Sequence, residues 1–284
     1  MDLCNISVIK ELMSDANISF RKEYGQNFLT NRIIPEDIAD GCTDEAESLI
    51  IEIGPGIGCL TAELASRYRR VVAIEIDRGL IPILNKTLAE FDNVTVINED
   101  VMKTNLHKIV EEYSNGLPVS VCANLPYYIT TPILMYLLES GVKFSTITVM
   151  VQNEVASRLC AKAGSSDYGA ITAVLNYYGE VRKLFKVSRG CFLPAPNVDS
   201  AVVRIDLYKD KRYQPKDEKL FFNLIRCAFE MRRKTLVNAI SAKLHFTKEE
   251  ISEALISLGF REDIRGEKLS CGDFVKLSDI LSKK

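Results

Sequence analysis

Leu49-Ile50-Ile51-Glu52-Ile53-Gly54-Pro55-Gly56-Ile57-Gly58 is the stretch on which the fold turns. Its first five residues, apolar but for one carboxylate, stop abruptly at glycines, as a buried strand does where the chain must turn into a helix. Glycine allows the sharp turn and lets a ligand approach the main chain. Cys59 stands where the dinucleotide pattern G-x-G-x-x-G needs its third glycine, so that pattern is not met. The shorter form E-x-G-x-G-x-G suits a loop packed against a nucleoside and amino-acid cofactor instead of a pyrophosphate. Taken alone, it is equally a tight strand-to-helix turn.

Outward from this loop, VVAIEI (71–76), VTVIN (94–98), VSVCAN (119–124) and TITVMVQ (146–152) read as strands buried on both faces. Helical stretches such as LTAELASRY (60–68) and PILMYLLES (132–140) separate them. The alternation predicts right-handed crossovers and an α/β fold with a doubly wound, Rossmann-like parallel sheet. EVRKLF (180–185) and AVVRIDLY (201–208) are expected as an antiparallel edge pair. Beyond Asp206 the pattern changes. KDKRYQPKDE (209–218) reads as a linker, and 217–240 reads as one long amphipathic helix. Thr247 and Glu250 stand at capping-box spacing, and Gly259 suits the end of that helix. Two domains are expected: 1–208 carrying the sheet, and a small all-helical domain over 209–284.

The totals exclude several classes. At 284 residues and 47% hydrophobic, the chain can bury a sizeable core. Eight cysteines without a C-x-x-C pair, and only two histidines, argue against a zinc site, a redox pair or a histidine-based mechanism; no metal is expected. The first residues lack a basic start, an apolar core and a small-residue cleavage site, so no secretory signal is expected. No apolar run reaches the ~18 residues of a membrane span. Net charge is −2, but residues 206–284 hold 17 basic against 13 acidic side chains, a mild excess suited to phosphate contact.

Strand ends carry the chemistry. Glu75 closes the second strand 21 residues after Gly54, where a carboxylate can accept from both ribose hydroxyls of a nucleoside. Asp100 follows the third strand, placed to accept from an adenine amine, and Asn124 ends the fourth. Each acid alone is equally a helix N-cap. Asn124-Leu125-Pro126-Tyr127 is the candidate reaction centre. The amino nitrogen of adenine is a poor nucleophile because its lone pair is delocalised into the ring. A useful site accepts hydrogen bonds from both amine protons, here by the side-chain oxygen of Asn124 and the carbonyl of Leu125. Pro126 holds Leu125 extended, and Tyr127 can stack on the base. Positioning and electrostatics then supply the rate. Phe192, in the stiff loop FLPAPNVDS (192–200), could cover the other face of the base or be a core residue.

Seven stretches taken together resemble a known family. They are GQNFL (25–29), the loop at 52–58, NLPY continuing into YITTP (124–132), QNEVA (152–156), DYG (167–169), FLPAPNVDSAV (192–202) and FEMRRKTL (229–236). In this order they resemble the ribosomal RNA adenine dimethylases of the KsgA type, over about residues 21–240. The resemblance implies an S-adenosylmethionine-dependent methyltransferase fold with a helical C-terminal domain. It implies two methyl transfers to N6 of each of two adjacent adenines near the 3′ end of 16S ribosomal RNA in the small subunit, during ribosome biogenesis. By position, Asn27, Leu29, Gly54, Gly56, Glu75, Asp100 and Asn124 would contact S-adenosylmethionine. Asn124, Leu125, Pro126 and Tyr127 would hold the adenine, with Phe192 stacking. Arg232, Arg233 and Lys234 would contact RNA. A cytoplasmic monomer without membrane attachment is expected. The alternatives are a related methylase of large-subunit RNA that confers antibiotic resistance, and a non-catalytic assembly factor that keeps the fold.

Overall fold

The computed structural model describes residues 1–18 and 25–283; residues 21–24, at the start of the resembling region, lie outside the described ones. Nine strands are found among the described residues: β1 Phe28–Leu29, β2 Leu49–Ile53, β3 Arg70–Glu75, β4 Val94–Asn98, β5 Val119–Asn124, β6 Phe144–Gln152, β7 Gly179–Val187, β8 Phe192–Leu193 and β9 Ser200–Leu207. Twelve α-helices accompany them among the same described residues. They are α1 Ile6–Asp15, α2 Ile33–Asp40, α3 Cys59–Arg67, α4 Ile81–Thr87, α5 Leu106–Tyr113, α6 Thr130–Glu139, α7 Asn153–Leu159, α8 Ala170–Tyr178, α9 Glu218–Glu230, α10 Leu236–Ser241, α11 Lys248–Ser257 and α12 Cys271–Leu281.

Seven strands form one sheet in the order β4-β3-β2-β5-β6-β9-β7. β2 pairs in parallel with β3 and with β5, and β6 continues the parallel run. β9 lies antiparallel on β6, with β7 as its outer neighbour. The chain therefore starts in the middle, builds outward through β3 and β4, and returns to the other side of β2 for β5. Such a reversal opens a crevice outside the carboxyl ends of the two central strands.

All five residues of β2 are buried, as both-face coverage by helices requires. On one face α2 and α3 lay Ile34, Ile38, Leu60 and Leu64 against Ile50, Val71, Cys122, Met150 and Val202. β1 pairs with β8 in register Phe28↔Leu193 and Leu29↔Phe192, and this short ribbon joins the same cluster through Leu29 and Phe192. α1 packs Ile9, Leu12 and Met13 on Phe28, Ile57 and Leu80. Burying each of these large side chains contributes about 1.5–3 kcal/mol.

The chain resolves into two compact units, Met1–Ala156 with Arg182–Leu207, and Ser157–Val181 with Tyr208 onward. The second unit thus takes α8 from inside the expected 1–208 segment. α8 buries Thr172, Ala173, Val174, Leu175 and Tyr177, and the Tyr177 ring lies 5.0 Å from that of Phe221 of α9 at a 37° tilt, so this apolar helix belongs to the C-terminal core.

The run 217–240 is not one helix. α9 ends at Glu230, and residues 231–235 turn before α10 begins. Two side chains end it. Arg232 turns aside to Glu267 at 2.9 Å and to the Ser166 carbonyl. Thr235 adopts an extended conformation and its hydroxyl accepts from the Asn238 N–H, a new N-cap. Thr247 and Glu250 do form the capping box, and Gly259 takes a positive φ after α11. Thr235→Ala should lower stability by about 1 kcal/mol, with amide exchange rising first over Leu236–Ser241; hydrogen exchange read by mass spectrometry checks it.

Candidate active site

Sheet register assembles the site. Ile53 of β2 lies beside Ile74 of β3 on one side and beside Ala123 of β5 on the other. The next residues, Gly54, Glu75 and Asn124, are therefore neighbours at the mouth of the crevice. A cavity opens there, walled by Gly54, Gly56, Glu75, Asn124, Leu125, Pro126 and Tyr127. Gly25–Leu29 closes another side, and Glu52, Ile76 and Leu80 are also in the wall. Asn27 and Leu29, which strand order alone does not place, are brought in by the β1–β8 ribbon.

Gly54 and Gly56 hold φ of +70° and +62°, conformations costly to any residue with a Cβ. A Cβ on Gly56 would stand 3.0 Å from the Phe28 ring, so the loop can lie against that ring only as glycine. Beside Gly54 a Cβ would meet nothing within 4 Å, which leaves open space on the cavity side. Cys59 begins α3, and its thiol lies 2.7 Å from that of Cys4, so the residues before α1 close on the end of the glycine loop.

Two buried carboxyls flank the loop. Glu75, 4% exposed, accepts the Asp77 N–H at 2.7 Å and the Gly56 N–H at 3.3 Å. Burial pushes its pKa up to about 7, against those two donors. Glu52, 1% exposed, has an Oε2 without a hydrogen-bond partner among the described residues, and burial pushes it up to about 8.

Asn124 donates from Nδ2 to the Asn27 carbonyl at 3.3 Å, and Asn27 donates from its own Nδ2 to the Gly25 carbonyl at 2.9 Å. The amide of Asn124 is thereby oriented, with its oxygen left as the acceptor. The Leu125 N–H is tied to the Met150 carbonyl at 3.2 Å. Tyr127 shares a 2.7 Å hydrogen bond with the Ser200 hydroxyl, which fixes the ring, and burial raises its pKa.

Two expected site residues do not line this cavity. Asp100 is not in the cavity wall: its Oδ1 accepts the Met102 N–H at 3.0 Å as an N-cap. Phe192 is 4% exposed and packs in the core beneath Leu29, where it supports the 27–29 segment instead of facing the cavity. Arg232, Arg233 and Lys234 are all exposed, Arg232 while paired with Glu267. Sequence reasoning passed over Gln26, whose amide reaches Asp77 at 2.9 Å, and Ile76, an isoleucine 47% exposed in the wall. The signal for Ile76 was its place directly after the strand-closing acid. Among the described residues no cluster of three or more potential ligands could hold a metal, and no helix is long and apolar enough to cross a membrane.

The family model for ribosomal RNA adenine dimethylase matches residues 17–283. The chain belongs to the ribosomal RNA adenine dimethylase family. Within it, the chain is 47% identical over 277 residues to the ribosomal RNA small subunit methyltransferase A of Lachnoclostridium phytofermentans, covering 96% of each. It is 45% identical to the protein of that name from Streptococcus thermophilus, covering 99% of this chain and 98% of that one. Among solved structures, a dimethyladenosine transferase from Plasmodium falciparum superposes with a TM-score of 0.75 at 26% identity, covering 90% of this chain and 97% of that one. The 23S rRNA methyltransferase ErmE gives 0.70 at 25% identity, covering 90% and 100%. The central sheet with its helical C-terminal part is thus the methyltransferase fold of this family, and the chain is an rRNA adenine methyltransferase.

The Glu52 carboxyl is a stability switch. Its folded pKa lies above the unfolded value of ~4.3. Its contribution is therefore complete below about pH 4 and is lost as pH rises toward about 8, at up to ~1.4 kcal/mol per pH unit. Glu52→Gln should remove that slope. Urea unfolding at pH 5.5 and pH 8 should show the variant gaining on wild type at the higher pH.

Proposed function

We propose that the crevice binds S-adenosylmethionine beside a flipped-out adenine of 16S ribosomal RNA in the small subunit. There the enzyme dimethylates N6 of two adjacent adenines near the 3′ end of that RNA, during ribosome biogenesis. The observation that carries this reading is the register that sets Gly54, Glu75 and the oriented Asn124 amide around one cavity, in a chain of this family. The two relatives named as small-subunit enzymes span nearly the whole chain, which favours the small subunit over the large.

The residues fit the donor. The open side of Gly54 and the N–H groups of the glycine loop suit close approach of its amino-acid part. Glu75, as a carboxylate, accepts from the ribose hydroxyls, and Ile76 offers an apolar surface to the purine. Asn27 and Leu29 close the site from the ribbon side. Asp100, one strand outward, is assigned to the adenine amine through its outer oxygen, since Oδ1 already serves the backbone. When bound, the donor supplies an electrophilic sulfonium methyl.

The chain's own groups do the remaining work. Asn124 Oδ1 and the Leu125 carbonyl accept hydrogen bonds from the N6–H groups, two before the first transfer and one before the second, which localises the nitrogen lone pair and aims it. Pro126 keeps Leu125 extended. Tyr127, held by Ser200, stacks on the base, and Phe192 supports the Leu29 side of the site from the core. Arg233 and Lys234 contact phosphates, while Arg232 holds the 231–235 turn that presents them. The enzyme acts as a monomer in the cytoplasm, where its ribosomal substrate resides, with no metal and no membrane attachment.

Asn124→Ala should cut turnover by about 10²–10³-fold while donor affinity by calorimetry changes only a few-fold; equal loss of both would count against the assignment. Protonated Glu75 can accept less well, so donor affinity should rise with pH through about 7. Glu75→Gln should bind more weakly at pH 8 and lose that dependence. Methyl incorporation into isolated small but not large subunits, read as dimethyladenosine by mass spectrometry, tests the substrate.

A further inference from the structure

Beyond the target-base pocket, a second cleft of about 530 Å³ opens in the same unit. Gln152, Asn153 and Glu154 line it from the end of β6 and the start of α7, and Arg189, Asn197 and Asp199 line it from the loop before β9. Register places it next to the residue that clamps Tyr127. Gln152 is paired with Ser200, and Ser200 is the residue that holds the Tyr127 hydroxyl. The cleft therefore begins one residue along the chain from the clamp on Tyr127.

The walls are pinned together. Asp199 gives its carbonyl to the Asn153 N–H at 2.9 Å and its carboxylate to the Arg189 N–H at 2.9 Å. The Arg189 guanidinium reaches back to the Asn197 carbonyl at 3.3 Å. A site with three such ties needs little reorganisation on binding. Its chemistry selects the occupant. Gln152, Asn153 and Arg189 bring donors, while Glu154 and Asp199 bring carboxylate acceptors. Lys183 also reaches the Asn153 Oδ1 at 3.3 Å, so a phosphate, which carries acceptors only, would meet cations and carboxylates together and could use only the donors. The edge of an amine-bearing base carries both kinds of group and matches them. Val198, 45% exposed, is the one apolar side chain in the wall and offers a surface to the ring.

We propose that this cleft is a subsite for the adenine next to the one being methylated, holding it by its amine-bearing edge while Tyr127 and Asn124 hold the target. The proposal rests on the function given above. It assigns Gln152, Glu154 and Arg189 to substrate positioning. It also explains how one crevice can serve two neighbouring adenines in turn: the base not under reaction has a place of its own.

The test uses the full chain and unmethylated small subunits, with rates at each adenine read by mass spectrometry of the 3′ RNA fragment. Two variants, Glu154→Gln and Gln152→Ala, are compared with wild type. They are assayed on normal subunits and on subunits whose neighbouring adenine is replaced by uridine. In wild type, the uridine should slow methylation of the remaining adenine by about ten-fold. The variants should already be slowed by a similar factor on normal RNA and lose less than about two-fold more on the uridine RNA, because both changes remove one contact. Donor binding by calorimetry should stay within about two-fold of wild type, which separates this outcome from misfolding. Variants that methylate both adenines at the wild-type rate, or effects that simply multiply, would overturn the subsite. A wild-type protein that methylates neither adenine would instead overturn the function and the subsite with it.

Discussion

The pairing of β2 with both β3 and β5 is the constraint on which the site depends. Because strand side chains alternate with a period of two, sliding β2 by one residue against its neighbours would turn Glu52 to the opposite face and displace the glycine loop from Glu75. The register Ile53↔Ile74 and Ile53↔Ala123 avoids this, and buried apolar side chains on both faces hold it. A slip would carry those side chains out of their helical packing, so the core and the active crevice are stabilised by the same contacts.

That shared origin explains the electrostatics. A crevice at the centre of a sheet, closed on one side by the β1–β8 ribbon and on another by the Pro126 turn, is poorly solvated. Glu52 and Glu75 are both pushed upward by burial. The low dielectric that makes those carboxyls costly also strengthens each hydrogen bond offered to a substrate. The Asn27 carbonyl uses it directly: by engaging one end of the Asn124 amide, it decides which atom faces the target base. Phe192, though distant from the chemistry, keeps the ribbon and hence Asn27 in place.

Legibility from the sequence followed the range of the interactions. The glycine loop, Glu75 and Asn124 were legible because each ends a strand, and strand ends are marked locally by apolar runs that stop. Asp100 obeyed the same rule, yet its side chain caps the turn that follows, a choice between two local partners that spacing does not reveal. An aromatic beside prolines and a run of cations look like binding surfaces, yet Phe192 takes the core alternative and Arg232, though exposed, is also tied into the 231–235 turn. Their partners, Leu29 in one case and Glu267 and Ser166 in the other, lie far along the chain. The break in 217–240 has the same cause, since only the turning aside of Arg232 and the cap at Thr235 interrupt a pattern that is helical throughout.

By itself the sequence determined the class of fold, the order of strands and helices, and the family, because periodicity, glycines at turns and motif order are properties of neighbours along the chain. Only the tertiary structure decided that α8 joins the C-terminal helices, that the β1–β8 ribbon carries residues 25–29 to the crevice, that the Asn27 carbonyl holds the Asn124 amide, and that a second cleft lies beside the Ser200 that holds Tyr127. Each of these depends on which surfaces meet when distant segments bury their apolar faces together, and no local pattern encodes that choice.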